Sequence, residues 1–277
     1  MRFAYCLLTA VSLASALPGL SYAAGFDTYG AAPANLVAIE PTPDFIFILG
    51  AGIGTKPAYE GASDYVPSFV PIISVERLHI PGLIDVGGEG STTGGFKFAP
   101  SFDYVGERIS ADHDALAGLD DVDATYAIGA RIGYELVLTD TMTAEIYGAA
   151  RYAFGGAEGL VGDLGVDVTA QVTPQLQVKA GPVISLASED YMDTYFGVTA
   201  AQSAATGGRL AAHDAEGGVK SVGLKASARY EFIPDTFVNL EGSYAAFVGD
   251  TRNSPIVQTG SEHQFTVGLG LSRRFSF

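Results

Sequence analysis

The sequence predicts an all-β protein, a transmembrane antiparallel β-barrel of up-and-down strands. Hydrophobic residues make up 48% of the chain and its mean hydropathy is +0.25, values that suit a membrane protein. After the first segment, however, no apolar run reaches the length of about 18 residues that marks a membrane-spanning helix. The apolar residues instead alternate with polar ones, and a closed barrel satisfies the backbone groups of such strands within a bilayer.

The first segment, residues 1–23, has the features of a secretory signal peptide. Arg2 precedes the apolar stretch 3–17, which is too short to span a bilayer comfortably, and Ser21 and Ala23 are the small residues that signal peptidase requires. We expect cleavage after Ala23 or one residue later. An N-terminal extension, 24–43, and a barrel, 44–277, then form the mature chain. The only cysteine of the sequence, Cys6, lies within the signal, so we expect no disulfide in the mature chain.

Alternation at every second residue predicts the strands of the barrel. Tyr126, Ile128 and Ile132 fall on one face of the clearest strand, whereas Arg131 and Glu135 fall on the other. The same pattern marks strands at 44–54, 66–79, 83–90, 95–106, 123–138, 142–155, 159–173, 176–187, 218–232, 236–249 and 263–277.

The number of strands should be even in a bacterial barrel made of one chain. We therefore expect 12 strands, with Asn35 to Glu40 as the additional strand, whereas merging two short segments would give 10. Short turns alternate with longer connections at 107–122, 188–217 and 250–262. That alternation is typical of short periplasmic turns and long external loops.

A soluble β-sandwich is the main alternative fold, because its strands also alternate. The predicted strands are longer than is usual for a sandwich, and aromatic residues such as Tyr152 and Tyr230 gather near strand ends, where a membrane interface would lie. The chain also ends on Phe277, with Phe275 on the same face. This ending resembles the outer-membrane assembly signal and implies the barrel assembly machinery as a partner.

The charge balance excludes nucleic-acid binding. The chain has 15 basic and 31 acidic residues, a net charge of -16, which repels a phosphate backbone. No cofactor is expected, and the histidines lack metal-ligand spacing. An acidic loop could bind calcium or the divalent ions that bridge lipopolysaccharide, but it lacks the EF-hand spacing and glycine, so a solvated loop is favoured. Its acidic residues are Asp112, Asp114, Asp120, Asp121 and Asp123.

The inward faces of the predicted strands carry charges of both signs. These charges could pair across the lumen and block it, which we favour, or line a narrow channel; the outcome depends on strand register. The predicted lumen-lining residues include Arg131, Glu135, Glu145, Arg151, Asp163, Asp167, Lys179, Lys225, Arg229, Glu231, Glu241 and Arg274, together with Lys97 and Asp103.

Arg273 is the charged residue on the outward face of the last strand, between Leu271 and Phe275. Its position near the chain end should let the long side chain reach the periplasmic headgroups. We therefore expect it to be tolerated on the lipid-facing side.

Two loop segments resemble the MipA/OmpV family, the MltA-interacting proteins. The resemblance is carried by Asp193 to Ser203 and by Asn253 to Val257, and it extends from about residue 45 to the end. Further landmarks are Tyr59-Glu60-Gly61, the acidic stretch 118–123 and the closing segment 268–271. The residues of this family motif are Tyr195, Phe196, Gly197, Val198, Ser254 and Pro255.

The resemblance implies an outer-membrane barrel linked to peptidoglycan remodelling. It implies a scaffold that joins a murein transglycosylase to a penicillin-binding protein, with outer-membrane lipids and lipopolysaccharide around the barrel. Other members are described as porin-like or adhesive. Two departures concern the last strand: family chains tend to stop at the position of Phe275, and Arg273 replaces an aromatic residue. The partner could therefore differ.

An outer-membrane lipid hydrolase is a remote alternative. Ser261 and His263 are two residues apart near the predicted external rim, with Asn253 and Glu262 nearby. A nucleophile also needs a base within hydrogen-bond reach and a third group to orient that base. Spacing alone does not provide these distances, so we expect no enzymatic activity.

Overall fold

The computed structural model describes residues 43–80, 84–87 and 94–277. The predicted signal peptide, the extension up to residue 42 and the additional strand at 35–40 lie outside these residues. The strands are β1 (Phe45–Pro57), β2 (Tyr65–Ile80), β3 (Ile84–Gly87), β4 (Gly95–Val105), β5 (Thr125–Thr139), β6 (Met142–Gly155), β7 (Gly159–Thr173), β8 (Leu176–Ala187), β9 (Gly218–Ile233), β10 (Thr236–Phe247) and β11 (His263–Ser276).

The strands form one antiparallel sheet in the order β3-β2-β1-β11-β10-β9-β8-β7-β6-β5-β4. The first strand, β1, pairs with the last strand, β11. The N–H of Phe45 donates to the carbonyl of Phe277 at 3.1 Å, and the N–H of Phe277 donates to the carbonyl of Phe45 at 2.9 Å. All neighbouring strands pair antiparallel, so the predicted all-β, up-and-down fold is confirmed.

The short strand β3 determines how the strands are counted. β3 pairs only with the end of β2, through the pairs from Arg77 with Gly87 to Ile80 with Ile84. Because every pairing is antiparallel, β3 and β4 run in the same direction and occupy one place in the up-and-down order. The described residues therefore provide ten positions, the smaller of the two even numbers that the sequence allowed.

Alternation places apolar side chains outside and polar ones inside. Ile128, Ile132 and Leu269 are at least half exposed on the outer face, whereas Arg131 is buried on the inner one. Aromatic residues form clusters at both ends of the outer face. Tyr104 and Tyr126 pack with ring centroids 5.1 Å apart at one end, and Phe96 and Tyr134 do so at the other, also 5.1 Å apart. These clusters match the two interfacial girdles of a membrane barrel.

Two-residue turns follow β5, β7 and β9 at one end of the barrel, which is therefore the periplasmic end. The long loops at the external end contain short helices: α1 (Glu189–Phe196), α2 (Ala200–Ala205), α3 (Gly249–Asn253) and α4 (Pro255–Thr259). In the part of the chain that the structure describes, no helix is long and apolar enough to cross a membrane. We call the external segments 58–64, 106–124, 188–217 and 248–262 the cap.

Candidate functional site: the lumen and its external cap

The cap has a hydrophobic core of its own. Helix α1 places Tyr191, Met192, Tyr195 and Phe196 inward, and all four are almost fully buried. Phe196 packs edge-on against Phe247 at the end of β10, with ring centroids 5.3 Å apart. Positions i, i+1, i+4 and i+5 lie on one side of a helix, which explains why a helix of about two turns can close over the mouth of the barrel.

The residues of the family motif join the cap to the wall. The hydroxyl of Tyr195 donates to Thr125 Oγ1 at 2.8 Å, and its carbonyl accepts from the Arg108 guanidinium at 2.9 Å. Burial raises the pKa of Tyr195 above its usual range and lowers the pKa of Arg108. Both residues are held by buried hydrogen bonds, Tyr195 to the barrel wall and Arg108 to helix α1.

The other motif residues hold the cap together, within loop 188–217 and between this loop and 248–262. The hydroxyl of Ser254 donates to the carbonyl of Phe196 at 2.6 Å, and the N–H of Val198 donates to the carbonyl of His213 at 2.8 Å. Pro255 is the first residue of helix α4. A backbone N–H at this position has no partner within the helix, so proline loses no hydrogen bond there. At Gly197 a Cβ would clash with the backbone carbonyl oxygen of Asp193, so the position requires glycine.

A layer of paired charges lies on the inner wall at mid-barrel. Arg131 Nη2 lies 2.9 Å from Glu145 and 2.8 Å from Asp167, and Lys179 Nζ lies 3.1 Å from Asp167. The Arg131 guanidinium also stacks 3.4 Å from the centre of the Tyr147 ring. These residues belong to the adjacent strands β5 to β8. The pairs therefore run along the wall, whereas we expected pairing across the lumen.

One cluster does pair across the lumen, near the periplasmic end. Glu76 on β2 accepts from Arg229 on β9 at 3.2 Å and from Arg274 on β11 at 2.9 Å. The ring of Phe237 lies beneath both guanidinium groups, 5.4 and 5.1 Å from their central carbons. Glu76 and Phe237 were not among the predicted lumen residues. The alternation of β2 and β10 was a signal that could have found them.

The remaining predicted lumen residues are distributed over the wall, the cavity and the periplasmic rim. Arg151 Nη2 lies 2.8 Å from Asp163, and Lys225 Nζ lies 3.8 Å from the same carboxylate. Glu135 pairs with Lys97 at 3.2 Å, and Glu241 faces the lumen cavity. Glu231 lies at the periplasmic rim, where its carboxylate accepts from the N–H of Asp235 at 2.8 Å. Asp103 also lines the cavity.

A cavity of about 710 Å³ lies between the charged layer and the cap. Its roof includes Tyr191, Glu60 and Lys220; the ammonium of Lys220 lies 2.6 Å from the Glu60 carboxylate and 5.1 Å from the centre of the Tyr191 ring. Arg131 and Tyr147 form its floor. A volume of this size falls within the range of about 300–1,000 Å³ that is typical of small-molecule pockets.

Ser261 and His263 do not form a nucleophile and base. The hydroxyl of Ser261 donates to the backbone carbonyl of His263 at 3.0 Å and accepts from its N–H at 3.0 Å. The imidazole contacts Tyr244 at 3.0 Å and Glu262 at 3.5 Å instead. The described contacts therefore support no hydrolytic site here.

The acidic loop uses its carboxylates within the cap. Asp121 accepts from the N–H of Ser110 at 2.7 Å, and Asp120 accepts from the Gln202 side chain at 2.9 Å. Within the described ranges, no group of three or more His, Cys, Asp or Glu side chains could hold a metal ion.

Comparison with known proteins places this barrel in a family. The family model for the MltA-interacting protein MipA matches residues 49–275. The chain belongs to the MipA family. It is an outer-membrane β-barrel, and the family match covers the strands, the cap and the motif residues that join them. The search of curated proteins found no match.

Solved structures with a similar fold include several outer-membrane barrels. An outer membrane channel from Pseudomonas putida shares 13% identity, with a TM-score of 0.48, and the match covers 89% of this chain and 100% of that one. The NanC porin shares 11% identity, with a TM-score of 0.36, over 82% and 98% of the two chains. The outer membrane protease OmpT from Escherichia coli shares 10% identity, with a TM-score of 0.33, over 86% and 99%.

Proposed function

We propose that this MipA-family barrel is a non-enzymatic scaffold, exported with a cleaved signal peptide, that holds a murein transglycosylase and a penicillin-binding protein at the periplasmic face of the outer membrane. The single observation that carries the proposal is the cap, whose buried core covers the external mouth of the lumen. A barrel covered in this way is better suited to anchoring partners than to open diffusion. The family relationship supports the choice of murein enzymes.

Co-purification from solubilised envelopes tests the scaffold. The periplasmic turns offer exposed residues for charge reversal, such as Asp140→Lys with Asp235→Lys, and Gln258→Lys on α4 is a matched external control. We expect the tagged chain to recover both murein enzymes and the turn variant to recover less of them than the control. Failure to recover either enzyme in several detergents would refute the scaffold.

A narrow channel is the second candidate, because the lumen contains a cavity with charged walls. This candidate predicts steady conductance in planar bilayers that changes when Arg131 or Glu145 is substituted. Silence of the purified barrel in such bilayers would exclude it. An adhesive role would instead depend on the exposed surface of the cap.

We propose that Phe275 and Phe277 are recognised by the barrel assembly machinery. Both side chains are exposed; Phe275 lies on β11, which pairs with β1, and Phe277 directly follows that strand. Phe277→Ser should therefore slow assembly in cells while leaving refolding into lipid vesicles unchanged. Equal assembly rates for this variant and the parent chain would contradict the proposal.

A further inference from the structure

Two parts of the cavity wall differ in how their charges are paired. On the part formed by β5 to β8, Arg131, Arg151 and Lys179 each lie close to a carboxylate, as described above. A second part is formed by the inner faces of β1, β9, β10 and β11, and it contributes Lys56 and Lys225 to the cavity lining. We call this second part the lysine wall.

Strand register places four polar residues of the lysine wall in one row across the barrel. Ser243 on β10 pairs with Lys225 on β9 and with Thr266 on β11. The ladder between β1 and β11 ends one residue before Lys56, which therefore lies at the level of Thr266. All four residues line the cavity. The two lysines are thus three strand spacings of about 4.8 Å apart, with two hydroxyl groups between them.

The two hydroxyl groups in the middle of the row can still bond to a ligand. Ser243 Oγ and Thr266 Oγ1 lie 2.6 Å apart, so one hydroxyl donates to the other. Each hydroxyl has one proton and two lone pairs, and their mutual bond uses one proton and one lone pair. The pair therefore retains one donor and several acceptor positions on the cavity wall.

Lys225 has no carboxylate of its own. Its Nζ lies 3.8 Å from Asp163, but that carboxylate already accepts from Arg151 at 2.8 Å and from Ser185 at 2.7 Å. The Lys225 side chain is 47% exposed, although it points into the lumen. Its ammonium group is therefore available to a ligand in the cavity.

Lys56 is also left without a close partner. The carboxylates that act on it belong to Glu60 and Asp103. Glu60 is bound by Lys220 at 2.6 Å, and Asp103 accepts from the backbone N–H of Tyr104 at 2.8 Å. Among the residues that the structure describes, none forms a hydrogen bond or an ion pair with the Lys56 ammonium. Both ends of the row therefore present a cation to the cavity.

Glu241 lies one inward position closer to the periplasm than Ser243, on the same strand. Its Oε1 lies 2.8 Å from the place that a Cβ on Gly268 would occupy, so the carboxylate rests against β11. Within the described part of the chain, this carboxylate has no hydrogen-bond or ion-pair partner. An ionised carboxylate accepts hydrogen bonds from hydroxyl groups and repels a second anion.

We infer that the lysine wall binds a small hydroxylated organic anion with a single carboxylate. A carboxylate placed over the hydroxyl pair lies between Lys56 and Lys225, whose flexible side chains can approach it from both sides. Glu241 accepts from the hydroxyl groups of the ligand and disfavours a second negative charge. The cavity of about 710 Å³ is large enough for such a molecule. The inference concerns the cavity and does not depend on the murein partners.

Calorimetric titration of the detergent-solubilised barrel tests the site, because both ends of the lumen then face solution. The probes are gluconate, glucuronate and quinate, which each combine one carboxylate with several hydroxyl groups. Sorbitol lacks the charge and butyrate lacks the hydroxyl groups. We expect saturable binding of at least one hydroxylated acid, and binding of sorbitol and butyrate that is weaker by about tenfold or more. Absence of saturable binding for all three acids, or equal binding of sorbitol or butyrate, would overturn the inference.

Variants then locate the bound acid. Lys56→Gln and Lys225→Gln should each weaken its binding by about tenfold, because each removes a charge-assisted hydrogen bond. Lys97→Gln is the matched control: it removes a lumen lysine that pairs with Glu135 outside the cavity, and it should keep the affinity of the parent chain. Heat-modifiable mobility verifies that each variant is folded. Parent affinity in both Lys56→Gln and Lys225→Gln would contradict the assignment.

Lysine acetylation tests the same site in the parent chain, without any substitution. An N-hydroxysuccinimide ester of acetic acid modifies accessible lysines, and mass spectrometry of the digested chain measures the rate at each position. A saturating concentration of the bound acid should slow the modification of Lys225 severalfold and leave the rate at Lys97 unchanged. An unchanged rate at Lys225, or equal slowing at both lysines, would show that the acid does not bind at the lysine wall.

Discussion

The cap covers the external mouth of the lumen and the charged layer lines its inner wall, and different forces hold these two regions. The cap buries large apolar side chains such as Phe196 and Ile256, each fully covered. The layer buries Arg131, Glu145 and Asp167, whose attraction must offset the cost of removing them from water. The stability of the cap therefore depends on the apolar area that it buries, whereas the charged layer is stable only while each charged side chain keeps its partner.

Phe196→Ala should have the largest effect. Removing a fully buried phenylalanine side chain costs about 3–5 kcal/mol, and here the loss falls on the cap and not on the wall. We expect faster external proteolysis of the loops while the barrel keeps its heat-modifiable mobility. Gln258→Ala, at an exposed position of α4, is the control. Unchanged proteolysis of Phe196→Ala would show that the cap is not held by its core.

Arg131→Met should cost about 3 kcal/mol of unfolding free energy, since it leaves two buried carboxylates with Lys179 alone. Urea titration in lipid vesicles measures the loss. The double variant Arg131→Met with Glu145→Leu removes one of those carboxylates and should recover part of the stability. A double variant that is less stable than the single one would mean that charge pairing does not hold the layer.

Charge on the lipid-facing side provides a reference for both regions. Leu269 faces outward on β11 and pairs with Ile53 and Leu240, and Arg273 lies four residues closer to the chain end on the same face. Leu269→Arg should cost about 2–4 kcal/mol, whereas Arg273→Leu should change stability by about 0–1 kcal/mol in the favourable direction. Equal losses in vesicle unfolding would show that the depth of β11 has been assigned wrongly.

Alkaline pH should loosen the cap. Tyr195 ionises at an ordinary pKa of 10.0 when the cap is unfolded, but burial raises the pKa of the folded form. The contribution of Tyr195 is therefore complete below pH 10.0 and is lost as the pH rises above that value. Tyr195→Phe should cost about 1 kcal/mol at neutral pH and flatten the pH profile of loop proteolysis. If Tyr195→Phe keeps the pH profile of loop proteolysis of the parent chain, groups other than Tyr195 cause the loosening.

The wall was predictable from the sequence because its information is local. Alternation at period two placed Arg131, Glu145 and Asp163 inward and Arg273 outward; in the structure the first three side chains are buried and Arg273 is exposed. The additional strand at 35–40 stays a prediction. The cap was not predictable, because its contacts join residues far apart in sequence, such as Arg108 with Tyr195 and Phe196 with Ser254.

The sequence also could not predict which charged residues pair with one another. Which carboxylate meets Arg131 depends on the register between neighbouring strands, and a shift of one residue would turn every side chain to the other face.

Single-barrel recording in planar bilayers tests the central claim, that the cap closes the external mouth of the lumen, most directly. The purified barrel should give no steady ion conductance. Reproducible conductance that shifts with Arg131→Met or Glu145→Gln would contradict the claim and favour the channel.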